Sequence, residues 1–166
     1  EVMLRALSAL TNRFQFSVNI YGDGPYRAEY MELAEELNLK DMVIFHGNRE
    51  WGEDLFGELR KNHILIVPHL TLEMTRNVFD GMASGCAIIA SDTKALAGLI
   101  DDSQAGVLFK TGDHQALAHV LASQLTKPSE IITSMTNGVN FVQKNNRDSH
   151  VQRRLDFLTR KLALRF

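Results

Sequence analysis

Five short apolar runs, separated by stretches of helical periodicity, constrain this chain more than any other feature of it. Phe16 to Tyr21 reads FSVNIY and sets Phe16, Val18 and Ile20 on one face of a strand. Met42 to Phe45, Ile64 to Val67, Ala87 to Ala90 and Val107 to Phe109 are near-continuous apolar runs. That is the pattern of strands covered on both faces of a parallel sheet. Between them, Tyr26 to Leu39 carries Tyr30, Leu33, Ala34 and Leu37 at helical spacing, and Asp54 to Asn62 carries Leu55, Phe56 and Leu59. Thr75 to Ser84 carries Val78, Phe79, Met82 and Ala83, with Gly85 placed to end the helix as a C-cap. Asp113 is placed to cap Gln115 to Leu125, whose Leu117, Val120 and Leu121 should face the sheet. Such alternation predicts an α/β fold, a doubly wound parallel sheet with right-handed crossovers.

The first residues, Glu1 to Arg13, read directly as a helix with Val2, Leu4, Leu7 and Leu10 as its apolar stripe. With no loop or methionine ahead of it, this start implies a fragment of a longer protein, so part of any active site could lie elsewhere. The expectation is one domain over residues 1–166, of which 129–166 is a helical C-terminal extension. Two helices, about Ser129 to Lys144 and Asp148 to Leu164, make up that extension. The last has a stripe at Val151, Leu155, Leu158, Leu162 and Phe166, and residues 147–166 hold six Arg or Lys against two Asp. It reads as the solvated face of a packed helix, or as a surface for a partner domain or an anionic membrane. A formal net charge of -2 argues against nucleic acid as a partner. The single cysteine, Cys86, excludes an internal disulfide and fits a reducing compartment. No apolar run approaches the ~18 residues of a membrane span and no signal peptide opens the chain, so the cytoplasm is the default reading.

In open parallel sheets, ligands bind beyond the carboxyl ends of the strands, where loops lead into helix N-termini. Three loops there have suitable composition. Gly22-Asp23-Gly24-Pro25 follows the first strand, and its glycines allow close backbone approach to a ligand, or simply make a tight turn. His46-Gly47-Asn48-Arg49 follows the second; its histidine reads more readily as structural than as a catalyst. Pro68-His69-Leu70-Thr71-Leu72-Glu73-Met74 is the most informative. With Thr75 as N-cap, the amides of Arg76, Asn77 and Val78 lie unpaired at a helix start, a ready site for phosphate. Glu73 precedes that helix. Asp80 lies on a face away from its apolar stripe, and helical side chains lean toward the N-terminus. Two carboxylates would then flank an anion site, able to accept hydrogen bonds from vicinal sugar hydroxyls.

From Gly22 to Leu121 the chain resembles the C-terminal domain of the group 1 (family 4) glycosyltransferases of the GT-B fold. The likeness rests on Gly22-Asp23-Gly24-Pro25, Leu33-Ala34, Val43-Ile44-Phe45-His46-Gly47, Pro68, Glu73, Asn77 and Met82-Ala83-Ser84-Gly85. Ala90-Ser91-Asp92, Gly106-Val107-Leu108-Phe109 and Gly112-Asp113 complete it. The resemblance implies a Rossmann-like domain, the C-terminal half of a GT-B fold, that binds a nucleoside diphosphate sugar, UDP-, GDP- or ADP-linked, without a cofactor or metal. Glu73 would be the catalytic carboxylate that contacts the donor sugar. Gly22, Gly24, His46, Gly47, Thr75, Arg76, Asn77 and Asp80 would line the donor site, with Asp80 toward the ribose. Two departures stand out. In the family the second acid is a glutamate with seven residues between it and the first, whereas here it is an aspartate with only six between. Direct and water-mediated contact of Asp80 with a ribose both stay open. The arginine and lysine that neutralise the diphosphate in the family fall near the domain's first strand and following helix, upstream of these residues.

The implied activity is glycosyl transfer to an acceptor hydroxyl with retention of configuration, plausibly in bacterial surface polysaccharide or lipopolysaccharide assembly. An N-terminal acceptor-binding domain of the same enzyme would complete the site. Arg153, Arg154, Arg160 and Lys161 could meet an anionic membrane at its inner face. A hydrolysing sugar-nucleotide epimerase of similar fold, or a non-catalytic domain binding a nucleotide or a partner, remain alternatives.

Overall fold

A computed structural model of the chain describes residues 1–71 and 76–146. Helix α1 (Val2–Ser8) leads to strand β1 (Val18–Tyr21), and α2 (Arg27–Glu36) to β2 (Val43–Gly47). Then follow α3 (Glu53–Leu59), β3 (Ile64–Val67), α4 (Arg76–Ala83), β4 (Ala87–Ser91), α5 (Lys94–Ser103) and β5 (Gly106–Phe109). Helices α6 (His114–Leu125) and α7 (Pro128–Lys144) end the described chain. The helix expected over Asp148 to Leu164 lies outside the described residues.

Every strand pair is parallel, as the apolar runs require. The strands form two groups, β1–β2 and β3–β4–β5. Val18 pairs with Val43, Ile64 with Ala87, and Ile88 with Gly106. The sequence predicts one sheet; the structure breaks its hydrogen bonding between β1 and β3, where a cavity lies.

Side-chain alternation divides the core into two layers. Ile64, Ile66, Ile89, Val107 and Phe109 face α1, α2 and α6, joined by Val18 and Ile20. Leu65, Val67, Ile88, Ala90 and Leu108 face α4, α5 and α7. All five residues of β4 are buried. Its one polar side chain there, Ser91, donates its hydroxyl to the Val67 carbonyl at 3.4 Å, which removes the cost of an unpaired buried group.

The caps read from sequence are present. Gly85 adopts φ +81°, Cys86 N–H reaches the Gly81 carbonyl at 2.9 Å, and Gly85 N–H reaches Met82 at 3.1 Å, a Schellman closure of α4. Asp113 Oδ1 accepts from the amides of Gln115 and Ala116 at 3.0 and 2.9 Å, and those bonds hold its carboxyl below the usual range. Three expectations need correction. Helix α5 has no counterpart in the sequence reading. Helix α1 closes at Ser8 rather than Arg13. The buried face of α4 is Val78, Gly81 and Met82, while Phe79 is 36% exposed and Ala83 also lies outside. Gly81 belongs inward because a β-carbon there would come within 2.5 Å of the Leu65 side chain.

Gly106 sets the spacing of β4 and β5. A β-carbon at this position would lie 1.8 Å from the Ile88 carbonyl oxygen, against backbone that cannot move without losing the Ile88-to-Ala105 bond. Gly106→Ala should therefore destabilise the protein by about 3 kcal/mol or prevent folding. Gly98→Ala, in the middle of α5 with open space around it, should stabilise by about 0.5–1 kcal/mol. Urea denaturation of both variants checks this, and equal midpoints would refute the steric assignment.

Candidate functional site

Parallel strands bring all their carboxyl ends to one edge, and the loops singled out from sequence gather there. Gly22 N–H donates to the Gly47 carbonyl at 2.8 Å, so the ends of β1 and β2 are tied backbone to backbone. Both glycines are left-handed, with φ +138° and +75°, and nothing lies within 4 Å of where a β-carbon would sit. Backbone conformation, rather than crowding, therefore demands glycine at both places. Gly24 is also surrounded by open space but has no left-handed φ, so the turn itself does not need it.

His46 sits in a half-buried polar chain. Asn19 Nδ2 donates to Asn62 Oδ1 at 3.0 Å, leaving Asn19 Oδ1 to accept from His46 Nε2 at 2.8 Å. The His46 ring also stacks on Tyr21, with centroids 4.9 Å apart and planes at 16°. Tyr21 in turn donates its hydroxyl to Glu58 at 3.3 Å; burial, and then the Glu58 charge, push its phenol above the usual range. These partners fix the imidazole in place, in keeping with a structural role.

Asp80 and Arg76 come together at the start of α4, Arg76 Nε standing 3.9 Å from Asp80 Oδ2. The Asp80 side chain is 15% exposed and that of Arg76 66%, so the carboxylate is the sheltered member. It leans back toward the helix start, as helical geometry requires. The Arg76 guanidinium also lies 4.1 Å above the Trp51 ring. Trp51 is 60% exposed and meets Phe56 edge-on at 5.6 Å. Trp51 belongs to the loop after β2, so this contact joins the start of α4 to the loop that carries Gly47. Asn77, in the same turn, is exposed. Glu73 and Thr75 lie outside the described residues.

Sequence reasoning missed Trp51 and Tyr21. A lone exposed tryptophan two residues beyond an arginine, in a loop already at the ligand edge, was the available signal. Farther along the edge, Asp92 accepts from the amide and hydroxyl of Thr111 at 2.8 and 2.6 Å. Those bonds hold the Asp92 carboxyl below its usual range and staple β4 to the loop before α6. The β5–α6 loop runs near the β3–α4 loop, where a β-carbon added at Gly112 would meet the Leu70 side chain at 3.8 Å. Among the described residues there is no cluster of three or more acidic, histidine or cysteine side chains that could hold a metal, and no helix long and apolar enough to cross a membrane.

A Rossmann-like α/β domain with a polar, glycine-bearing carboxyl edge is thus the class of protein these elements define. The chain belongs to the group 1 glycosyl transferases, whose family model matches residues 1–127. It is 26% identical over 116 residues to the lipopolysaccharide core biosynthesis glycosyltransferase LpsD of Rhizobium meliloti, covering 70% of this chain and 32% of that one. Anabaena Alr3699/HepE, solved in complex with UDP, superposes with a TM-score of 0.82 at 19% identity, over 95% of this chain and 44% of the other. The C-terminal domain of the group 1 family protein LpcC from Francisella tularensis superposes with a TM-score of 0.75 at 19% identity, covering 87% of this chain and 77% of that domain. The fold is thus that of a C-terminal-like GT-B domain. The chain spans about a third of the length of LpsD and under half of HepE.

The Arg76–Trp51 contact should be measurable. A double-mutant cycle of Trp51→Leu and Arg76→Ala, followed by urea denaturation, should give a coupling of about 0.5–1 kcal/mol, typical of an exposed cation–π pair. Additive single effects would show that the two side chains do not hold one another.

Proposed function

We propose that this chain is the donor-binding domain of a retaining glycosyltransferase, holding a nucleoside diphosphate sugar across the start of α4. The observation that carries the proposal is the sheltered Asp80 carboxylate beside Arg76 in α4, with Arg76 stacked on Trp51 of the loop after β2. A helix start favours anions through its unpaired amides and its dipole. Arg76 adds a mobile cation able to make charge-assisted bonds to phosphate. Asp80 accepts from the ribose hydroxyls, and Glu73 and Asn77 belong on the sugar side, as the family resemblance implies. The Gly22–Gly24 turn and the His46–Gly47 loop flank the nucleotide. The complex of the Anabaena relative with UDP supports a nucleotide as the ligand.

In this reading the bond from the anomeric carbon to the diphosphate oxygen breaks as the acceptor hydroxyl oxygen bonds to that carbon. The acceptor's proton leaves with the departing diphosphate. Charge grows on the diphosphate in the transition state, and fixed amides with Arg76 stabilise it there. Residues 1–166 belong to the donor half, and an N-terminal acceptor-binding domain of the same enzyme supplies the rest. Surface polysaccharide or lipopolysaccharide assembly is the context that LpsD supports.

Calorimetric titration of the full-length protein with UDP, GDP and ADP tests the proposal. One of the three should bind, and Trp51, the chain's one tryptophan, should report it by a change in emission. Asp80→Ala should weaken binding by tenfold or more, about 1.5 kcal/mol, the usual loss for a charged hydrogen-bond partner. A folded protein that binds none of the three overturns the donor-site reading, whereas binding unchanged by Asp80→Ala removes only the ribose contact.

A further inference from the structure

Arg27 stands where an arginine is costly. It is the first residue of α2, and a cation at a helix start opposes the helix dipole. Its Nε is buried without a hydrogen-bond partner, since Asp23 Oδ1, at 3.7 Å, is too far to be one. An unfilled buried donor lowers stability. Long cationic side chains usually escape both costs by extending into water, yet this one is turned inward, 36% exposed. What it meets there is backbone: Nη2 donates to the carbonyl of Phe45 in β2 at 3.3 Å.

That carbonyl lies beside a break in the strand register. Ile20 of β1 stands opposite Phe45, but Tyr21 stands opposite Gly47, so His46 is an extra residue without a partner across the ladder. Such a β-bulge bends its strand and re-aims the residues that follow. It falls on an outer strand, because among the described residues β2 pairs with β1 alone. Met42 turns its carbonyl to Val18 of β1, and Val43 turns its N–H the other way, to Leu39. Phe45, two residues beyond Val43, therefore also faces outward, where no strand meets its carbonyl. Arg27 fills that role. The bulge is thus held from both sides, by the bond from Gly22 to Gly47 within the sheet and by Arg27 outside it.

We infer that Arg27 is a positioning residue: by pinning Phe45 it keeps the His46 bulge in place and so aims the loop after β2 at the start of α4. The contacts beyond the bulge depend on that aim. Arg49 reaches back over the Tyr21 ring at 6.0 Å and pairs with Asp54 at 3.6 Å. The Glu50 N–H donates to Asp54 at 3.2 Å, and Trp51 receives the Arg76 guanidinium. Loss of the bulge would shift the register by one residue and turn each following side chain to the other face, taking Trp51 away from Arg76. Arg27 acts on that contact through the backbone of β2. Its consequence for nucleotide binding rests on the donor-site reading above; its consequence for Trp51 does not.

Nuclear magnetic resonance on the full-length protein, labelled with nitrogen-15 at tryptophan, tests this. The indole N–H signal of Trp51, identified by its loss in Trp51→Phe, should move when Arg76→Ala takes the cation from its ring. Arg27→Met should move it as Arg76→Ala does, and adding Arg76→Ala to Arg27→Met should move it no further. Arg27→Lys, which keeps a donor but loses the fixed geometry of the guanidinium, should leave the signal between the two positions. Whichever of UDP, GDP and ADP binds the parent should bind Arg27→Met more weakly. A full Arg76-dependent shift in Arg27→Met overturns the inference, whatever happens to stability. Self-association of Arg27→Met with the Trp51 signal unmoved overturns it too, as the mark of a residue that merely guards a strand edge. Where Arg27→Met does not fold, Arg27→Lys decides: a signal at the parent position overturns the inference, and an intermediate one upholds it. A parent that binds none of the three nucleotides overturns the donor-site reading alone.

Discussion

The burial of β4 on both faces is the constraint on which the rest of the structure depends. A strand with no solvent-facing side must be apolar at every position or satisfy its polar atoms internally, and Ala87-Ile88-Ile89-Ala90-Ser91 does both. Covering both faces calls for helices above and below, and crossovers of fixed hand deliver them. Gly106 lets β5 approach β4 closely, and Gly138 does the same for α7, where a β-carbon would meet Ala105 and Met82 at 3.2 and 3.3 Å. Parallel strands then leave all five carboxyl ends at one edge. The polar loops collect there as a consequence of the sheet, before any ligand is considered.

At that edge, Arg76 is held weakly. Its ion pair with Asp80 is long, and its own side chain is mostly in water, where such pairs contribute about 0–1 kcal/mol. Its place over the Trp51 ring adds a similar amount. Both contacts are weak enough for the guanidinium to exchange them for other partners at little cost. Asp80 is different: it is sheltered and anchored by its helix. The guanidinium is thus the mobile member of the pair and the carboxylate the fixed one.

Legibility in the sequence follows from how local each signal is. The five strands, the Schellman end at Gly85 and the Asp113 cap were readable because short runs and single residues specify them. Helix α5 was not. Gly98 dilutes its stripe of Leu96, Leu99 and Ile100, and Thr93 makes no side-chain cap. The inward face of α4 was misjudged because Gly81 has no hydrophobicity to announce itself; only the closeness of Leu65 reveals why it turns inward. The glycine loops, Arg76 and Asp80 could each be picked out as single residues, and the contact between the last two follows from i to i+4 helix geometry alone. The Trp51–Arg76 stack and the Tyr21–His46 stack join separate loops, and no periodicity encodes such pairings.

The cavity and the candidate site are two aspects of one topological fact. From β1 the chain moves outward to β2, and from β3 it moves the opposite way to β4 and β5. The reversal falls between β1 and β3. In open α/β sheets, the crevice at such a reversal is where ligands settle, because neighbouring loops diverge there instead of crossing it. The loops that follow β1 and β3 carry Gly22 and Pro68, so they border the cavity at its carboxyl end. Whatever fills the space between the two strands sets the distance from the Gly22–Gly47 tie to the start of α4. The spacing of the candidate site's loops is thus tied to the packing between β1 and β3, and the two cannot vary independently.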